Sequence, residues 1–511
     1  MTFFIVTFCC AFVALGSFLF GYDAGIISST IAQKAFVQKF GTDSHLSDTV
    51  AGGIVSCFTG GAIIGSVVVS YISDAFGRRA AIFLGGLLAT LGAALQGGCV
   101  TLAMLIAGRC IVGFAVGIMS ATVPVYCTEV APQHLRGLLG SMQQWMIGLG
   151  INVAQWVGYG SSLHSGDFSW RFPLSVQVIP SIIVCCGVWA LPESPRWLIE
   201  HGRDKTGRAV LSRLHEDRAK SNEEYIEREY RQIKESIAVE QQTTVRSWRE
   251  LLFNNTSWRR RVLLACGIQA FTQCSGTNVI QYYNPRIYAA LGLSTSTSLM
   301  IIGIWGLLAV IWNTLFMLFM DRFGRRPLLI FSMIGMGAAL CVEATLTHYF
   351  VPEHSEPTNA SALRAIISMF FLFSFFFTPL GLISWIYPAE IFPTSIRARG
   401  AALGTFTNWS LNLVFAQSAP IGLTNLGYRF FYIFVAFNWV QAICVYLFYP
   451  ETVAGSLEEL GVIFEDGRER NNQDASQSCN GDRTVECHSG RRYGVLRRAS
   501  NRALSLTDGG T

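Results

Sequence analysis

The feature that most constrains this chain is a series of apolar stretches that are long enough to cross a lipid bilayer as helices. A spanning helix needs about 20 predominantly apolar residues, and twelve stretches of the sequence have that length. They cover residues 4–29, 49–73, 80–99, 102–126, 139–160, 172–191, 262–288, 298–320, 328–349, 364–387, 400–423 and 430–449. Charged residues make up 14% of the chain, against about 25% in ordinary soluble domains. The composition therefore excludes a water-soluble domain, and the sequence predicts an all-α membrane protein with twelve transmembrane helices.

Basic residues gather in alternate loops between these stretches. They are Arg78 and Arg79, Arg136, those of segment 192–261, Arg322, Arg325 and Arg326, Arg397 and Arg399, and those of the C-terminal tail. The positive-inside rule places such loops in the cytoplasm, and an even number of spans then places both termini there. The net charge of +5 lies mainly in these segments, so it does not indicate a nucleic-acid partner. The first stretch has no basic n-region and no small-residue cleavage site, so we expect it to stay in the membrane.

Three polar motifs occur twice along the chain, in the same order. The pairs are Asp74-x-x-Gly77-Arg78-Arg79 with Asp321-x-x-Gly324-Arg325-Arg326, Glu129-x-x-Pro132-x-x-x-Arg136 with Glu390-x-x-Pro393-x-x-x-Arg397, and Pro192-Glu193 with Pro450-Glu451. The repeat predicts two pseudo-symmetric six-helix halves, residues 1–191 and 262–449. Segment 192–261 is expected to be a cytoplasmic linker with short helices, and 450–511 a largely disordered cytoplasmic tail. Duplicated halves of this kind are typical of alternating-access transporters, whose substrate site lies between them.

The chain carries no motif of enzymatic or ATP-driven chemistry. A Walker A loop, an HExxH helix and a nucleophile elbow do not occur in the sequence, and neither does the ligand spacing of a zinc site. We therefore expect no enzyme activity, no cofactor and no metal. Of the 14 cysteines, twelve lie in apolar stretches, and they form no disulfide framework.

Ten short strings carry a resemblance to a known family. They are FGYDAG (20–25), DAFGRR (74–79), GRCIVG (108–113), YCTEVAPQHLRG (126–137), PESPRWLI (192–199), SGTNVIQYY (275–283), DRFGRRPL (321–328), YPAEIFPTSIRARG (387–400), NWSLN (408–412) and YPET (449–452). In this order they resemble the sugar porter family of the major facilitator superfamily over about residues 1–460, in a spelling most like its fungal members. The resemblance implies a monomeric carrier in the lipid bilayer of the plasma membrane, with a sugar or polyol and a proton as its small-molecule partners.

One acidic residue, Asp23, lies inside the first apolar stretch. An ionisable side chain within a span costs at least about 2.5–3.5 kcal/mol on insertion scales, so it calls for a partner or a function. The resemblance implies that Asp23 and Arg109 of the fourth span form a proton-coupling pair. The alternative is a structural carboxylate that accepts hydrogen bonds from the backbone. Some fungal facilitators of the family also keep this Asp, so uniport stays open.

Amide and aromatic side chains within the spans match positions that bind sugar in the family. They are Gln144, Gln273, Asn278, Trp385 and Asn408. Phe20, which resembles an aromatic residue near the proton site of the family, is grouped with them as a substrate-binding candidate, and Tyr282 and Tyr283 stand at the positions of an outer gate. Amides offer both donors and acceptors, and an aromatic face covers the apolar side of a sugar ring, so these residue types suit a neutral polyol. For any single residue among them, an interhelical hydrogen bond or plain core packing is the alternative.

The charged residues of the repeated motifs are expected at the cytoplasmic helix ends. The set comprises Arg78, Arg79, Glu129, Arg136 and Glu193 in the first half, and Arg325, Arg326, Glu390, Arg397 and Glu451 in the second. The pattern predicts salt bridges that close the cytoplasmic side and break as the halves rock. The alternative is that these charges set the topology and cap helix ends.

Several positions depart from the family pattern. Thr272 occupies the place of a Gln in the seventh span, and Ala309 that of an Asn in the eighth, so glucose cannot be assumed as the substrate. Glu343 of the ninth span has no family counterpart; it either reaches the membrane interface or contacts a substrate or proton path. Asn359 begins an Asn-Ala-Ser sequon on a predicted outer loop and is therefore a candidate glycosylation site.

The sequence thus predicts a secondary active transporter of a hexose-like sugar or related polyol that works by alternating access as a proton symporter. Two alternatives stay open. One is a facilitative uniporter of a sugar or a quinate-like compound, and the other is a nutrient sensor that binds its ligand without moving it.

Overall fold

Helices form the regular secondary structure of the residues that the computed structural model describes, which are 2–41, 46–132, 135–214, 223–242, 256–351, 360–392 and 394–452. These helices are α1 (Thr2–Val13), α2 (Leu15–Ile31), α3 (Lys34–Phe40), α4 (Asp48–Phe76), α5 (Arg78–Gly97), α6 (Leu102–Val130), α7 (Arg136–Ser162), α8 (Phe168–Val176), α9 (Val178–Gly187), α10 (Pro195–Glu200), α11 (Asp204–Leu214), α12 (Glu223–Gln242), α13 (Thr256–Cys274), α14 (Thr277–Ala290), α15 (Thr295–Phe323), α16 (Arg325–Phe350), α17 (Ala360–Ile391), α18 (Thr394–Leu426) and α19 (Arg429–Phe448). A short 3-10 helix, Val188–Ala190, follows α9.

Some residues singled out in the sequence lie outside this description. They are Asn359, the tail from residue 453 onward, and the side chains of Arg136 and Arg397. We call the end of the bundle at which α5 and α16 begin, with Arg78 and Arg325, the basic end.

Nine helical segments of the described chain are long and apolar enough to cross a membrane, judged by length and composition. The predicted spans 139–160, 262–288 and 400–423 do not meet that criterion. They correspond to α7, to α13 with α14, and to α18, and these helices bury amide side chains such as Gln144, Gln273 and Asn408. In α7 and α18 these polar groups lower the mean hydropathy, and polar residues of spanning helices normally face the interior of the bundle. In the seventh span, α14 has only 14 residues, and α13 begins with Arg259, Arg260 and Arg261 in its first turns.

The seventh span is divided into α13 and α14 at Ser275 and Gly276. Gly276 has a φ of 91°, a left-handed conformation that a residue with a Cβ adopts only at a cost. Asn438 of α19 donates from Nδ2 to the Ser275 carbonyl over 3.2 Å and so satisfies a buried backbone group at the break. The break lets α14 take its own direction, and non-helical backbone at this depth is tolerated because it is buried in protein.

The two halves meet along two equivalent helix pairs. Helix α7, the fifth span, packs against α15, the eighth, and α18, the eleventh, packs against α4, the second. Because each span of the first half corresponds to the span six places later in the second, these two interfaces are related by the repeat. Helices α10, α11 and α12 lie in the linker, where α11 and α12 bury a small apolar cluster that includes Leu211, Ile226 and Ile233.

Candidate functional site

A cavity lies between the two halves, near the middle of the helices that form it. Its lining residues come from α2 and α7 of the first half and from α13, α14, α15, α17 and α18 of the second. They are Phe20, Ala24, Gln144, Ile147, Gly148, Ile151, Thr272, Gln273, Thr277, Asn278, Gln281, Tyr282, Trp305, Ala309, Asn313, Ser374, Phe377, Thr378, Trp385 and Asn408. Within the described residues no Asp, Glu, Lys, Arg or His lines the cavity, so its polar groups are uncharged. All six residues predicted to bind sugar are among the lining residues, together with Tyr282.

Three predicted amides of the second half form one hydrogen-bonded chain. Asn278 donates from Nδ2 to Gln273 Oε1, and Gln273 donates from Nε2 to Asn408 Oδ1 over 3.0 Å. Asn408 in turn donates from Nδ2 to Gln269 Oε1 over 2.6 Å, and Gln269 donates to the Ser384 carbonyl over 2.9 Å. Each amide has a second N–H and further lone pairs, so the chain fixes the orientation of the groups that the cavity exposes.

Gln269 was not predicted, although it supports this chain without lining the cavity. It precedes Gln273 by four residues and therefore lies on the same face of α13. That spacing was the available signal in the sequence. Because Gln269 and Gln273 both bind Asn408, they fix the position of that side chain relative to α13.

A hydrogen bond between Trp385 and Gln144 crosses the interface of the two halves. Trp385 of α17 donates from its indole nitrogen to Gln144 Oε1 of α7 over 3.0 Å. Phe20 of α2 packs edge-on against the same indole, with ring centroids 6.4 Å apart. An indole face beside an amide gives the cavity one apolar wall and one polar corner, which is the combination that suits the two faces of a sugar ring.

The two departures from the family pattern both lie in the cavity lining. Thr272 turns its hydroxyl to the Ile268 carbonyl of its own helix, 3.0 Å away, and Ala309 offers no polar group. Asn313, one turn after Ala309, lines the cavity as well. It donates from Nδ2 to the Ala309 carbonyl over 2.8 Å, and its Oδ1 has no hydrogen-bond partner among the described residues. Asn313 was not predicted, although it is an amide four residues beyond the expected one and hence on the same helix face.

The predicted gate tyrosines both pack against α18. Tyr282 lines the cavity and its hydroxyl lies 3.4 Å from Asn412 Oδ1. The hydroxyl of Tyr283 donates to the Ala416 carbonyl over 2.8 Å. Both rings belong to α14, the second part of the broken span, so movement of α14 displaces them together.

Asp23 and Arg109 form a fully buried ion pair behind the cavity. Arg109 Nη1 donates to Asp23 Oδ2 over 2.7 Å, and both side chains are 0% exposed. Arg109 also donates from Nε to the Ile54 carbonyl over 3.2 Å, and Gln96 donates from Nε2 to Asp23 Oδ1 over 3.4 Å. The structural alternative for Asp23, a carboxylate bound only to backbone, does not describe this geometry, because the main partner is a cation.

Aromatic rings connect this ion pair to the cavity. The guanidinium of Arg109 lies 4.9 Å from the ring centre of Phe58, and Phe58 packs on Trp409 with centroids 5.6 Å apart. Trp409 contacts Phe20 at 4.9 Å, and Phe20 reaches Trp385 in the cavity wall. We call Phe58, Trp409 and Phe20 the ring series. It provides continuous van der Waals contact between the charged pair and the cavity.

At the basic end, the repeated charges pair within each half. Arg78 of α5 binds Glu129 of α6 through two hydrogen bonds of 3.0 Å, from Nε and Nη2. Arg325 of α16 donates from Nη2 to Glu390 Oε1 of α17 over 3.0 Å. The first pair is a buried bidentate contact of the kind in which arginine binds carboxylate most strongly. These bridges join neighbouring helices of the same half, and whether they break during the transport cycle stays a prediction.

The two remaining carboxylates of the repeat cap helix N-termini. Glu193 accepts the backbone N–H groups of Arg78 at 3.1 Å and of Arg79 at 3.2 Å. Glu451 accepts those of Arg325 at 2.8 Å and of Arg326 at 3.1 Å. A helix N-terminus presents unpaired N–H groups and a positive partial charge, and a carboxylate satisfies both. Helix capping was the alternative function considered for these charges, and the geometry supports it for this pair.

The caps require glycine at the preceding position. Gly77 has a φ of 91° and Gly324 a φ of 86°. A Cβ at Gly77 would lie 2.5 Å from Glu193 Oε2, and one at Gly324 would lie 2.7 Å from Glu451 Oε2. The glycine of each motif is therefore needed both for its backbone conformation and for the space beside the carboxylate.

Burial raises the pKa of Glu193, while backbone hydrogen bonds from Ser194 and Arg79 act in the opposite direction.

One ion pair at the basic end crosses between the halves. Arg399 of α18 lies with its Nε 3.8 Å from Asp74 Oδ2 of α4. Asp74 belongs to the first repeated motif, but Arg399 was not among the predicted salt-bridge residues. This pairing has no signal in the sequence, because it depends on how α4 and α18 meet.

Comparison with known proteins agrees with this architecture. A family profile described as "Sugar (and other) transporter" matches residues 9–464. The chain is 34% identical over 463 residues to "MFS-type transporter criB" of Aspergillus cristatus, which covers 90% of this chain and 94% of that protein. It is 31% identical over 483 residues to "MFS glucose transporter mfs1" of Aspergillus flavus, with 90% of each chain covered.

Solved structures show the same fold. The MFS proton:xylose symporter XylE bound to 6-bromo-6-deoxy-D-glucose superposes with a TM-score of 0.79 at 24% identity, covering 91% of this chain and 100% of that chain. The inward-open conformation of XylE from E. coli gives a TM-score of 0.68 at 23% identity, with 90% of this chain covered. The predicted fold, twelve transmembrane helices in two six-helix halves, is confirmed. The chain belongs to the Sugar (and other) transporter family of the major facilitator superfamily, and it is an integral multi-pass membrane transporter rather than an enzyme.

Proposed function

We propose that this protein is a proton symporter that moves a hexose-like sugar or a related polyol across the plasma membrane by alternating access, as a monomer. The observation that carries the proposal is the uncharged cavity between the halves, in contact through the ring series with the buried Asp23–Arg109 pair. In this proposal the basic end faces the cytoplasm, as the positive-inside rule requires, and both termini lie there.

The chemistry of the cavity supports a neutral, hydroxyl-rich ligand. Its lining combines the amides Gln144, Gln273, Asn278 and Asn408 with the ring of Trp385. An ionic substrate would leave its charge unpaired there, since the lining holds no charged side chain in the described part of the chain, and a buried unpaired charge is strongly disfavoured. A polyol instead satisfies the remaining donors and acceptors of the amides.

The position of Asp23 supports coupling to a proton. A proton on the carboxylate removes the negative charge that holds Arg109 Nη1 at 2.7 Å, so Arg109 becomes free to change its contact with Phe58. The ring series carries such a displacement to Phe20 and Trp385, which contact the ligand space. Coupling of this kind requires that the packed rings have two alternative arrangements. Proton binding and substrate binding must then favour the same one of the two.

The names of two relatives favour a sugar as the substrate, and the name of a third gives no substrate. The Aspergillus flavus relative is named a glucose transporter, and so is a relative from Kluyveromyces lactis that is 31% identical over 466 residues. The Aspergillus cristatus relative, at 34% identity, is named only as a transporter of the superfamily. The substitutions at Thr272 and Ala309 lie in the cavity wall, so the substrate assay must extend beyond glucose.

Two other functions would use the same cavity. A facilitative uniporter of a sugar would use the same cavity, with the Asp23–Arg109 pair serving only to hold α2 and α6 together. A quinate-like compound, the other substrate of this alternative, is an anion at neutral pH and fits the uncharged lining less well than a sugar does. A nutrient sensor would bind the ligand in the cavity without completing the transport cycle. Accumulation of substrate against a gradient separates symport from both.

The test is uptake in cells that lack their own sugar carriers. Labelled hexoses, pentoses, disaccharides, polyols and quinate are supplied one at a time, while the pH of a weakly buffered medium is recorded. Symport predicts accumulation with alkalinisation of the medium on addition of the transported compound. Downhill uptake without alkalinisation indicates uniport, and binding without any uptake indicates a sensor.

A further inference from the structure

A second carboxyl group is buried in the bundle, apart from the cavity and from Asp23. Glu343 of α16 is 2% exposed and does not line the cavity. At a rise of 1.5 Å per residue it lies about 27 Å along the helix from Arg325, and therefore far from the basic end. The alternative in which its side chain reaches the membrane interface does not hold, because the side chain is enclosed by protein.

Glu343 has no cationic partner among the described residues. Thr347, one turn later, donates from its hydroxyl to Glu343 Oε1 over 3.1 Å. Oε2 has no hydrogen-bond partner in the described part of the chain. Asp23, by contrast, is held by Arg109. A buried carboxylate without a compensating charge is so costly that such a group takes up a proton instead.

Two buried polar residues of α14 also have unsatisfied groups. Tyr288 is 0% exposed and lies within electrostatic interaction range of Glu343. Its hydroxyl lacks a hydrogen-bond partner among the described residues, as do both amide atoms of the buried Asn284. Asn284 and Tyr288 are one helical turn apart on one face. Buried polar groups are nearly always hydrogen-bonded, so these indicate a site that is incomplete in this conformation.

The other ionisable side chains near this end of the bundle point elsewhere. They are exposed or half-exposed, and comprise Arg286 on α14, Arg364 on α17, Tyr428 just before α19, Arg429 and Tyr432 on α19, and Cys341, His348 and Tyr349 on α16 itself. Helix α15 contributes no ionisable residue from Thr295 to Trp312. Tyr288 is therefore the titratable group that shares the buried environment of Glu343 within the described residues.

We propose that Glu343 is a second proton-binding site, distinct from Asp23, whose occupancy is linked to the position of α14. The same helix carries Asn278 and Tyr282 in the cavity wall, so its position and the shape of the cavity change together. In the present arrangement the carboxyl holds its proton. When α14 moves and water reaches Tyr288, the proton passes to water and the carboxylate remains. Linkage is reciprocal, so a proton on Glu343 favours the present arrangement.

The consequence for transport rests on the alternating access proposed above, but the site itself can be tested without substrate or transport. Purified protein in lipid nanodiscs is studied by infrared spectroscopy at neutral pH, where a protonated carboxyl has a carbonyl band that a carboxylate lacks. The variants are Glu343→Gln and, as the matched control, Asp23→Asn. We expect the wild-type spectrum to contain a protonated-carboxyl band that is lost in Glu343→Gln and retained in Asp23→Asn.

A second variant keeps the test decisive where Glu343→Gln fails to fold. Tyr288→Phe retains the carboxyl and removes only the neighbouring hydroxyl. We expect the band to persist and to shift in position, because the polarity around the carboxyl changes. A wild-type spectrum without the band, or a band that Glu343→Gln leaves in place, overturns the proposal and makes Glu343 an ionised structural residue. Either result leaves the function proposed for Asp23 untouched.

Discussion

Trp385 donates an indole hydrogen bond of 3.0 Å to Gln144 Oε1, and this bond joins the two six-helix halves at the wall of the cavity. Any motion that separates the halves at this point must break it. A substrate bound between the two side chains can replace it with its own hydroxyl groups. The bond therefore links ligand binding to the relative position of the halves.

The first prediction concerns this bond. Trp385→Phe removes the donor and keeps an aromatic ring. The conformation with this bond should therefore lose about 0.5–1.5 kcal/mol of stability relative to a conformation in which the halves are separated at this point. That is a shift of about 2- to 13-fold in the conformational equilibrium. The measurement is the labelling rate of a cysteine introduced at the basic end, in a background freed of native cysteines.

The matched control for this variant is Trp305→Phe. Trp305 also lines the cavity and donates its indole N–H, to the Phe370 carbonyl at 3.3 Å, but both residues belong to the second half. Its removal should leave the labelling rate unchanged. Equal effects of the two substitutions would mean that the bond across the interface has no special part in the equilibrium.

The second prediction concerns coupling. Asp23→Asn should abolish accumulation against a gradient and leave exchange measurable, because the driving ion is lost while the cavity is intact. The ratio of internal to external substrate should then fall to about one, the value at which a carrier without a driving ion comes to equilibrium. Accumulation at the wild-type level, at either acidic or neutral pH, would contradict the proton role.

Asp167→Asn is the control for this substitution. Asp167 is an exposed residue that pairs with Lys39 at 3.3 Å, and hydrogen bonding from Arg171 lowers the pKa of its carboxyl. The same chemical change at this site should leave accumulation unaltered. A loss of accumulation here would point to a general effect of surface charge.

The third prediction separates two kinds of ion pair at the basic end. Glu129→Gln leaves the buried Arg78 without its carboxylate, and breaking a buried pair costs about 3–5 kcal/mol of folding free energy. Asp74→Asn removes the pair with Arg399, whose side chains are 33% and 38% exposed, so it should cost no more than about 0.2–1 kcal/mol. Melting temperature should fall clearly in the first variant and little in the second.

The labelling of cysteines at the basic end should rank the two variants in the opposite order, with the larger effect in Asp74→Asn. Because Asp74 and Arg399 lie on different halves, Asp74→Asn should raise the labelling of basic-end cysteines, by no more than about five-fold. Glu129 and Arg78 lie on the same half, so a folded Glu129→Gln protein should label at nearly the wild-type rate. Strong opening by Glu129→Gln alone would instead support the prediction that the bridges within each half close the cytoplasmic side.

The fourth prediction concerns the amide chain. Gln273→Ala or Asn278→Ala leaves neighbouring amides without a partner, which costs about 1–3 kcal/mol and should weaken apparent affinity about 5- to 150-fold. Gln143→Ala is the control, since Gln143 is buried and bonded to the Ser120 carbonyl at 3.2 Å without lining the cavity. Equal losses in all three variants would indicate a general packing defect rather than a binding site.

The sequence was sufficient for the elements whose signal is local. The apolar stretches predicted the spans, and the repeated motifs predicted that Arg78 and Arg325 lie at helix ends. The three spans that fall outside the length and hydropathy criterion carry most of the cavity amides, and these polar groups weaken the membrane signal. In one of the three, the break at Gly276 also leaves a helix of only 14 residues. A polar residue at a spanning position is costly for insertion and necessary for binding.

What depends on the meeting of distant helices was not predictable. Glu193 caps a helix that begins 115 residues earlier in the chain, and nothing near it indicates that pairing. The bond between Arg399 and Asp74, and the support that Gln269 gives to Asn408, likewise arise from packing. Helical spacing could have identified Gln269 and Asn313 as candidates, but not their partners.

The final prediction concerns selectivity at Thr272 and Ala309. Restoring both family amides, as Thr272→Gln with Ala309→Asn, should raise the ratio of glucose uptake to uptake of the best native substrate. The reason is that each new amide adds donors and acceptors at positions that now offer only a hydroxyl bonded within its own helix and a methyl group. Asn313 already supplies one amide a turn away, with an unpartnered Oδ1 among the described residues.

Asn313→Ala is therefore the companion variant. If Asn313 serves in place of the missing amide, its removal should weaken affinity for the native substrate about 5- to 150-fold, the cost of one lost polar partner. In the Ala309→Asn background the same removal should cost less, because the restored amide can take over the contact. An unchanged glucose ratio in the double restoration, at normal surface expression, would mean that these positions do not set selectivity. If Asn313→Ala weakens affinity by the same factor with and without Ala309→Asn, then Asn313 and the restored Asn at position 309 contact different hydroxyl groups.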